Sequence, residues 1–170
     1  WGESCFFGPN RLRRAQYLPA INASSGDENI VLAEISPQVG WGSYAARDIK
    51  KGDFIVKYAG QVVLKKGVKD RSYSMQSGLE GFILNSKHYR NTGAFLNHSI
   101  RPNAQAECVF EKGIEQAVIL ALEDIPRGKQ LFIDYSERYF SKGMNMNDFT
   151  DLNIGNSGEF PTYLPSTAFS

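Results

Sequence analysis

The sequence predicts a mainly β domain with long connections. Three observations point there: short runs of β-branched and aromatic residues recur along the chain, glycine-containing turns separate them, and little helical period intervenes. Folds of that kind close their sheets to avoid exposed edges. The 170 residues suit one domain with a real core. Apolar residues at 42% and charged ones at 22% fit a water-exposed globular domain. Lys+Arg of 19 against Asp+Glu of 18 leaves a net charge of +1, which exerts no general pull on nucleic acid or anionic membrane. No signal peptide opens the chain, and it starts at Trp1 as a fragment would. A nuclear or cytoplasmic protein is expected, with Cys5 and Cys108 as reduced thiols. Two cysteines with only His88 and His98 offer no zinc cluster, so no metal is expected.

Arg11, Arg13 and Arg14 belong to a solvated lead-in, followed by the polar break Asn22-Ala23-Ser24-Ser25-Gly26-Asp27. Residues 30–35 read as a short strand ended by Ser36-Pro37. Gly40-Trp41-Gly42-Ser43-Tyr44-Ala45 lacks the third glycine and following helix of a dinucleotide fingerprint, and on spacing alone it reads as a hairpin turn. The run Phe54-Ile55-Val56-Lys57-Tyr58-Ala59-Gly60-Gln61-Val62-Val63 gives the strongest strand signal. Residues 65–71 form a basic exposed loop, 73–80 show no clear period, 82–84 read as a buried strand and 85–92 as a polar connection.

The run Gly93-Ala94-Phe95-Leu96-Asn97-His98-Ser99-Ile100-Arg101-Pro102-Asn103 sets polar side chains against apolar ones that should be buried. Buried polar atoms must be hydrogen-bonded, so such a loop is held in one shape. Residues 104–110 and 114–122 predict a hairpin around Glu111-Lys112-Gly113, and 130–135 a last strand. Two segments echo each other. Asp48-Ile49-Lys50-Lys51-Gly52 leads to a strand ending at Tyr58, and Asp124-Ile125-Pro126-Arg127-Gly128 to one ending at Tyr135. Two such units could bring two phenols to one place, although Asp-Ile-x-x-Gly is also common turn chemistry. From residue 141 the composition shifts to Asn, Gly, Ser, Thr and Pro with scattered aromatics that can dock a tail on the domain.

Taken in order, Gly40-x-Gly42-x-x-Ala45, Tyr58-x-Gly60, Phe95-Leu96-Asn97-His98-Ser99 with Pro102-Asn103, and Asp134-Tyr135 resemble a SET domain, the fold of S-adenosylmethionine-dependent protein lysine methyltransferases. The resemblance implies a SET domain over 30–139, a flanking segment over 1–29 and a tail over 140–170 available to cover the active site. It implies a β-clip-like fold of small curled sheets with a pseudoknot and few short helices, Asn97-His98-Ser99 passing beside the strand that carries Tyr135. Gly40, Trp41, Gly42, Ser43 and Tyr44 would hold S-adenosyl-L-methionine mainly through backbone groups, with the Trp41 ring against it. Asn97 and His98 would bind its adenine and amino-acid ends, His98 largely through backbone. Tyr135 would be the catalytic tyrosine, also beside the cofactor, and Tyr58 would line the same lysine channel. Tyr73 is a further candidate on the cofactor or peptide side. The substrate would be a lysine-containing protein or peptide, a histone tail above all, added as a strand at a sheet edge.

Each assignment has a plainer counterpart: Tyr135 as a rim tyrosine, Asn97 as a loop cap, His98 as a satisfied buried histidine. The chain also departs from the family. No cysteine follows Cys108, so the zinc-binding segment that often completes the channel is missing, and Phe140, Phe149, Phe160 or Tyr163 would have to close it. Ile133 stands two before Tyr135, where tyrosine restricts the number of methyl groups, and without a hydroxyl there multiple methylation is expected. Ala94 replaces the family's usual arginine. Two rival readings stand beside the enzyme: a SET-like peptide-binding or scaffold module that no longer catalyses, and an unrelated β-rich interaction domain.

Overall fold

The structure is a computed structural model that describes residues 23–37, 39–111 and 114–135. The Arg11, Arg13 and Arg14 lead-in and the tail with Phe140, Phe149, Phe160 and Tyr163 lie outside the described residues. The mainly β class expected from sequence holds. Small sheets predominate, with short 3-10 turns at Asp27–Asn29, Lys65–Gly67 and Thr92–Phe95.

Strand β1 (Ile30–Ser36) pairs antiparallel with β2 (Gly40–Ala45). The expected hairpin turn at 40–45 is therefore a strand, and the reversal falls just before Gly40, which holds φ +81. The strand wins because its second half is core: Ser43, Tyr44 and Ala45 are all buried. Strands β3 (Phe54–Lys57), β8 (Ala104–Glu111) and β9 (Ile114–Ala121) form one sheet in the order β3-β9-β8. Strands β8 and β9 form the hairpin expected from the sequence, with 112–113 outside the described residues. Strands β4 (Gln61–Leu64), β5 (Ser74–Gln76) and β6 (Phe82–Asn85) form another in the order β4-β6-β5.

The single strand expected over 54–63 is thus two, one in each sheet. Between them the backbone leaves one ladder for the other. Tyr58 N–H donates to Ala117 O at 2.8 Å, and Ala59 N–H donates to Asn91 Oδ1 at 3.2 Å. Gly60 passes so close to β6 that an added Cβ would lie 2.7 Å from Ser86 Oγ. Strand β5 lies where the sequence shows no period, since a strand of three residues is too short to display one.

The last expected strand divides in the same way. Gln130 bridges Tyr44 of β2, Leu131 N–H donates to Ser43 O at 2.8 Å, and only β10 (Phe132–Ile133) continues, pairing in parallel with β7 (Asn97–His98). The main core cluster takes Ile30 and Ala45 from the first hairpin, Ile55 and Val56 from β3, Ile119 from β9, and Leu96, Leu131 and Ile133 around the β7–β10 pair. Burying each such aliphatic side chain is worth about 1.5–3 kcal/mol. The short β7–β10 pair is thereby anchored by packing rather than by its own ladder.

Candidate active site

The site grows from the β7–β10 register. Phe132 faces Asn97 and Ile133 faces His98, and Ser99 N–H donates to Ile133 O at 3.1 Å. Three side chains then lock the segment. Asn103 donates through Nδ2 to Gln130 O and accepts from Phe132 N–H through Oδ1, both at 2.8 Å. His98 Nδ1 accepts from Tyr135 N–H at 3.1 Å. The Tyr135 hydroxyl donates to Leu96 O at 2.5 Å, and its ring lies 5.5 Å from the His98 ring. Tyr135, two residues past β10, is therefore held at backbone, ring and hydroxyl by the Leu96-Asn97-His98 run.

His98 is a buried histidine whose ring positions the Tyr135 backbone. It is 8% exposed, and burial pushes its pKa below the usual histidine value while the Asp134 carboxylate and the Ile133 carbonyl pull the other way. A ring nitrogen that accepts from an amide carries no proton, so the imidazole is neutral with Nδ1 unprotonated.

Tyr58 is buried and its hydroxyl donates to Tyr73 O at 2.7 Å. Met75 packs against both the main core beside Tyr135 and the cluster that holds Tyr58. The two echoed units are brought together, but each phenol ends on a backbone carbonyl. Tyr73 itself is exposed, holds φ +58, and meets Phe95 edge to face at 6.3 Å.

Strand β2 supplies the other wall. Asn97 Nδ2 donates to Trp41 O at 3.2 Å, joining the Gly-x-Gly strand to the Asn-His-Ser run. An added Cβ on Gly42 would lie 2.7 Å from Ile35 Cδ1, 2.8 Å from Gln130 Nε2 and 3.2 Å from Asn97 Nδ2. Only glycine lets these groups meet. The side chains of Ser43 and Tyr44 turn inward, Ser43 Oγ donating to Thr92 O at 3.0 Å and Tyr44 filling the core at 2% exposure. Ile133 likewise sits in the main core.

Sequence reading missed the groups that hold the loop before Asn97. Asp27 accepts from Thr92 N–H at 3.0 Å and Thr92 Oγ1 at 2.5 Å, and from Ser25 Oγ at 2.6 Å. Burial raises the Asp27 pKa, but the hydrogen bonds from Ser25, Thr92 and Asn91 outweigh it and hold the carboxyl below its ordinary value. Its only signal was the polar break at 22–27, which carried no assignment of its own. The Pro-Asn pair did signal Asn103, though not its partners.

The residues present fit a methyl-donor nucleotide held through backbone. A Cβ on Gly40 would meet nothing within 4 Å, so the backbone there is open to a close approach. Beside it the flat Trp41 ring is 52% exposed, and Asn97 fixes the Trp41 carbonyl. Among the described residues no group of His, Cys, Asp and Glu is arranged to hold a metal ion, and no helix is long and apolar enough to cross a membrane.

Comparison with known proteins agrees with this geometry. The chain is 29% identical over 129 residues to a histone-lysine N-methyltransferase, H3 lysine-4 specific, of Aspergillus oryzae, covering 69% of this chain and 10% of that protein. It is 31% identical over 116 residues to histone-lysine N-methyltransferase 2D of Homo sapiens, covering 63% of this chain and 2% of the relative. The chain thus spans a tenth or less of the length of these relatives. Among solved structures, a humanized mutant of the Chaetomium thermophilum Polycomb Repressive Complex 2 bound to an inhibitor superposes with a TM-score of 0.57 at 26% identity, covering 64% of this chain and 15% of that one. The SET domain profile matches residues 40–136, from the Gly-x-Gly strand through Tyr135, and the chain belongs to the SET domain family.

Proposed function

We propose that this domain is a protein-lysine N-methyltransferase that uses S-adenosyl-L-methionine, with a histone tail as substrate and the nucleus as its place of action. The observation that carries the reading is the double hold on Tyr135, its N–H on His98 and its hydroxyl on Leu96 O. The named histone-lysine methyltransferases among its relatives support the substrate class. In this reading the domain occupies 30–139, flanked by the segments 1–29 and 140–170.

Gly40, Trp41 and Gly42 hold the cofactor by backbone and ring, with Asn97 and His98 beyond them; Ser43 and Tyr44 brace that strand from behind. When bound, S-adenosylmethionine supplies a sulfonium methyl group open to in-line displacement. Tyr58 and Tyr135 receive the lysine. Free lysine has a pKa of about 10.4, and an apolar channel beside a positive charge favours the neutral amine. With its proton donated to Leu96 O, the Tyr135 oxygen keeps lone pairs that accept an amine N–H and turn the nitrogen lone pair toward the methyl group. Holding nitrogen and carbon in line is worth up to about 7–11 kcal/mol in the best intramolecular cases, so no general base with a strongly shifted pKa is required.

The test is radiolabelled methyl transfer to histones and to a lysine peptide array, alongside calorimetry with S-adenosylhomocysteine. Transfer with cofactor binding supports the enzyme. Cofactor binding without transfer to any substrate would assign the chain to the non-catalytic module, and no cofactor binding would remove both.

A further inference from the structure

Arg90 stands on the exposed connection between β6 and the Thr92–Phe95 turn. Its guanidinium carbon lies 4.3 Å from the centre of the Tyr73 ring and 5.6 Å from that of Phe95. Nη2 donates to Lys87 O at 2.9 Å. Stacking uses the flat face of the guanidinium, whereas its N–H bonds lie in the plane, so the rings fix the group without consuming its other donors.

Among the described residues Arg90 forms no ion pair, while Lys50 pairs with Asp124 and Lys87 with Asp70. Asp70 is already occupied by Lys87 at 2.7 Å. A guanidinium held against two aromatic rings, with donors to spare, is a receptor for a carboxylate.

Its place ties it to the two tyrosines. Tyr73, under the guanidinium, accepts the Tyr58 hydroxyl on its own carbonyl, and Phe95 precedes Leu96, whose carbonyl accepts the Tyr135 hydroxyl. Tyr73 keeps φ +58, a conformation that costs a non-glycine residue about 1–3 kcal/mol and persists only where its surroundings impose it. The Tyr58 bond and the Ser86 N–H donated to Tyr73 O at 2.9 Å do so here.

We propose that Arg90 is a specificity-determining residue that binds an Asp or Glu side chain of the substrate, close in sequence to the lysine that Tyr58 and Tyr135 receive. The inference rests on the lysine-methyltransferase reading. The residue faces solvent, where a peptide arrives, and its planar fork matches a carboxylate bidentately, as a lysine would not.

Peptides with a Glu scanned along the residues flanking one lysine, each with its Gln counterpart, test this by fluorescence anisotropy in the presence of S-adenosylhomocysteine. The wild-type chain is expected to bind at least one Glu peptide about tenfold more tightly than its counterpart. Arg90→Gln brings that ratio to parity, and Arg90→Lys keeps part of it. Equal binding of every pair, or a preference that survives Arg90→Gln, overturns the proposal. So does an equal loss of S-adenosylhomocysteine affinity in Arg90→Gln, which would place the guanidinium on the cofactor's carboxylate. Methyl transfer by the same wild-type sample separates the two failures. Transfer without a Glu preference removes only the role of Arg90, and no transfer removes the enzyme reading while the binding ratio still decides Arg90.

Discussion

Ile49 and Ile125 face each other across an antiparallel bridge, each donating its N–H to the other's carbonyl, at 2.9 and 2.8 Å. The residues before them reciprocate: Arg127 N–H donates to Asp48 Oδ1 at 2.8 Å, and Lys51 N–H to Asp124 Oδ1 at 2.9 Å. Gly52 and Gly128 close the two turns at φ +87 and +86. The echoed segments are thus paired about an approximate twofold relation, and the turns that start the Tyr58 and Tyr135 strands are bound to one another.

Both isoleucines are buried in the main core, so the pairing should be read out in stability. Ile49→Ala and Ile125→Ala should each cost about 2–5 kcal/mol in urea unfolding. Because they touch, the double variant should depart from additivity by about 0.5–3 kcal/mol. Additive losses would mean that the two turns fold independently.

Tyr135→Phe should abolish most methyl transfer while leaving S-adenosylhomocysteine affinity nearly intact. The ring keeps its place beside His98 and only the hydroxyl is lost. Tyr58→Phe leaves Tyr73 O its bond from Ser86 N–H, and should cost only about 1 kcal/mol of stability. Wild-type turnover in Tyr135→Phe would remove that residue from the mechanism.

Acid should loosen the site through His98 before the carboxylates titrate. Its folded pKa is depressed, so the unfolded chain binds the proton more readily, and stability is full above the unfolded value of about 6.5. It is lost as pH falls from there through the lower folded value, because protonated Nδ1 can no longer accept from Tyr135 N–H. Asp27, also depressed, contributes above the ordinary carboxylate value and loses that contribution only at lower pH. Thermal unfolding followed from pH 7 downward should show two successive declines, and His98→Gln, which retains an acceptor without a titrating ring, should remove the first.

Gly40 and Gly42 should respond differently to the same methyl group. Gly42→Ala drives Cβ against Gln130 and Asn97, an overpacking worth about 1–3 kcal/mol, and should weaken S-adenosylhomocysteine binding by displacing Asn97. Gly40→Ala meets nothing, and only its φ of +81 penalises it, by about 1 kcal/mol. Calorimetry and unfolding of the two variants check both halves.

Ile133 carries no hydroxyl to hold a water or restrain an amine, so di- and trimethyl products should accumulate on a good peptide. Mass spectrometry that finds monomethyl-lysine alone would sink this expectation. Its side chain also packs in the core, so Ile133→Tyr should alter stability as well as product distribution.

The hairpin at 104–121 and the short strand at 82–85 were legible because both are rich in apolar and β-branched residues whose segments are buried in ladders. The order of Gly-x-Gly, Asn-His-Ser and Asp-Tyr was legible because close approach and buried hydrogen bonds restrict which residues can stand there. Strand β2 was not, since two glycines in six residues suit a turn until Gln130 and Asn97 are brought against them. Nor was the division of 54–63 between two sheets, which depends on Asn91 capturing the backbone from a distant part of the chain.

By itself, the sequence determined the β class, the family and the residue types at the site, through local propensity and motif order. Tertiary structure decided which groups meet. His98 and Tyr135 are far apart in sequence, and only the β7–β10 register puts Nδ1 on the tyrosine's N–H. The Arg90 platform arises the same way, since Tyr73 and Phe95 become neighbours through packing alone. A side chain's chemistry is local, but its partner and its exposure are set by segments brought together from elsewhere in the chain.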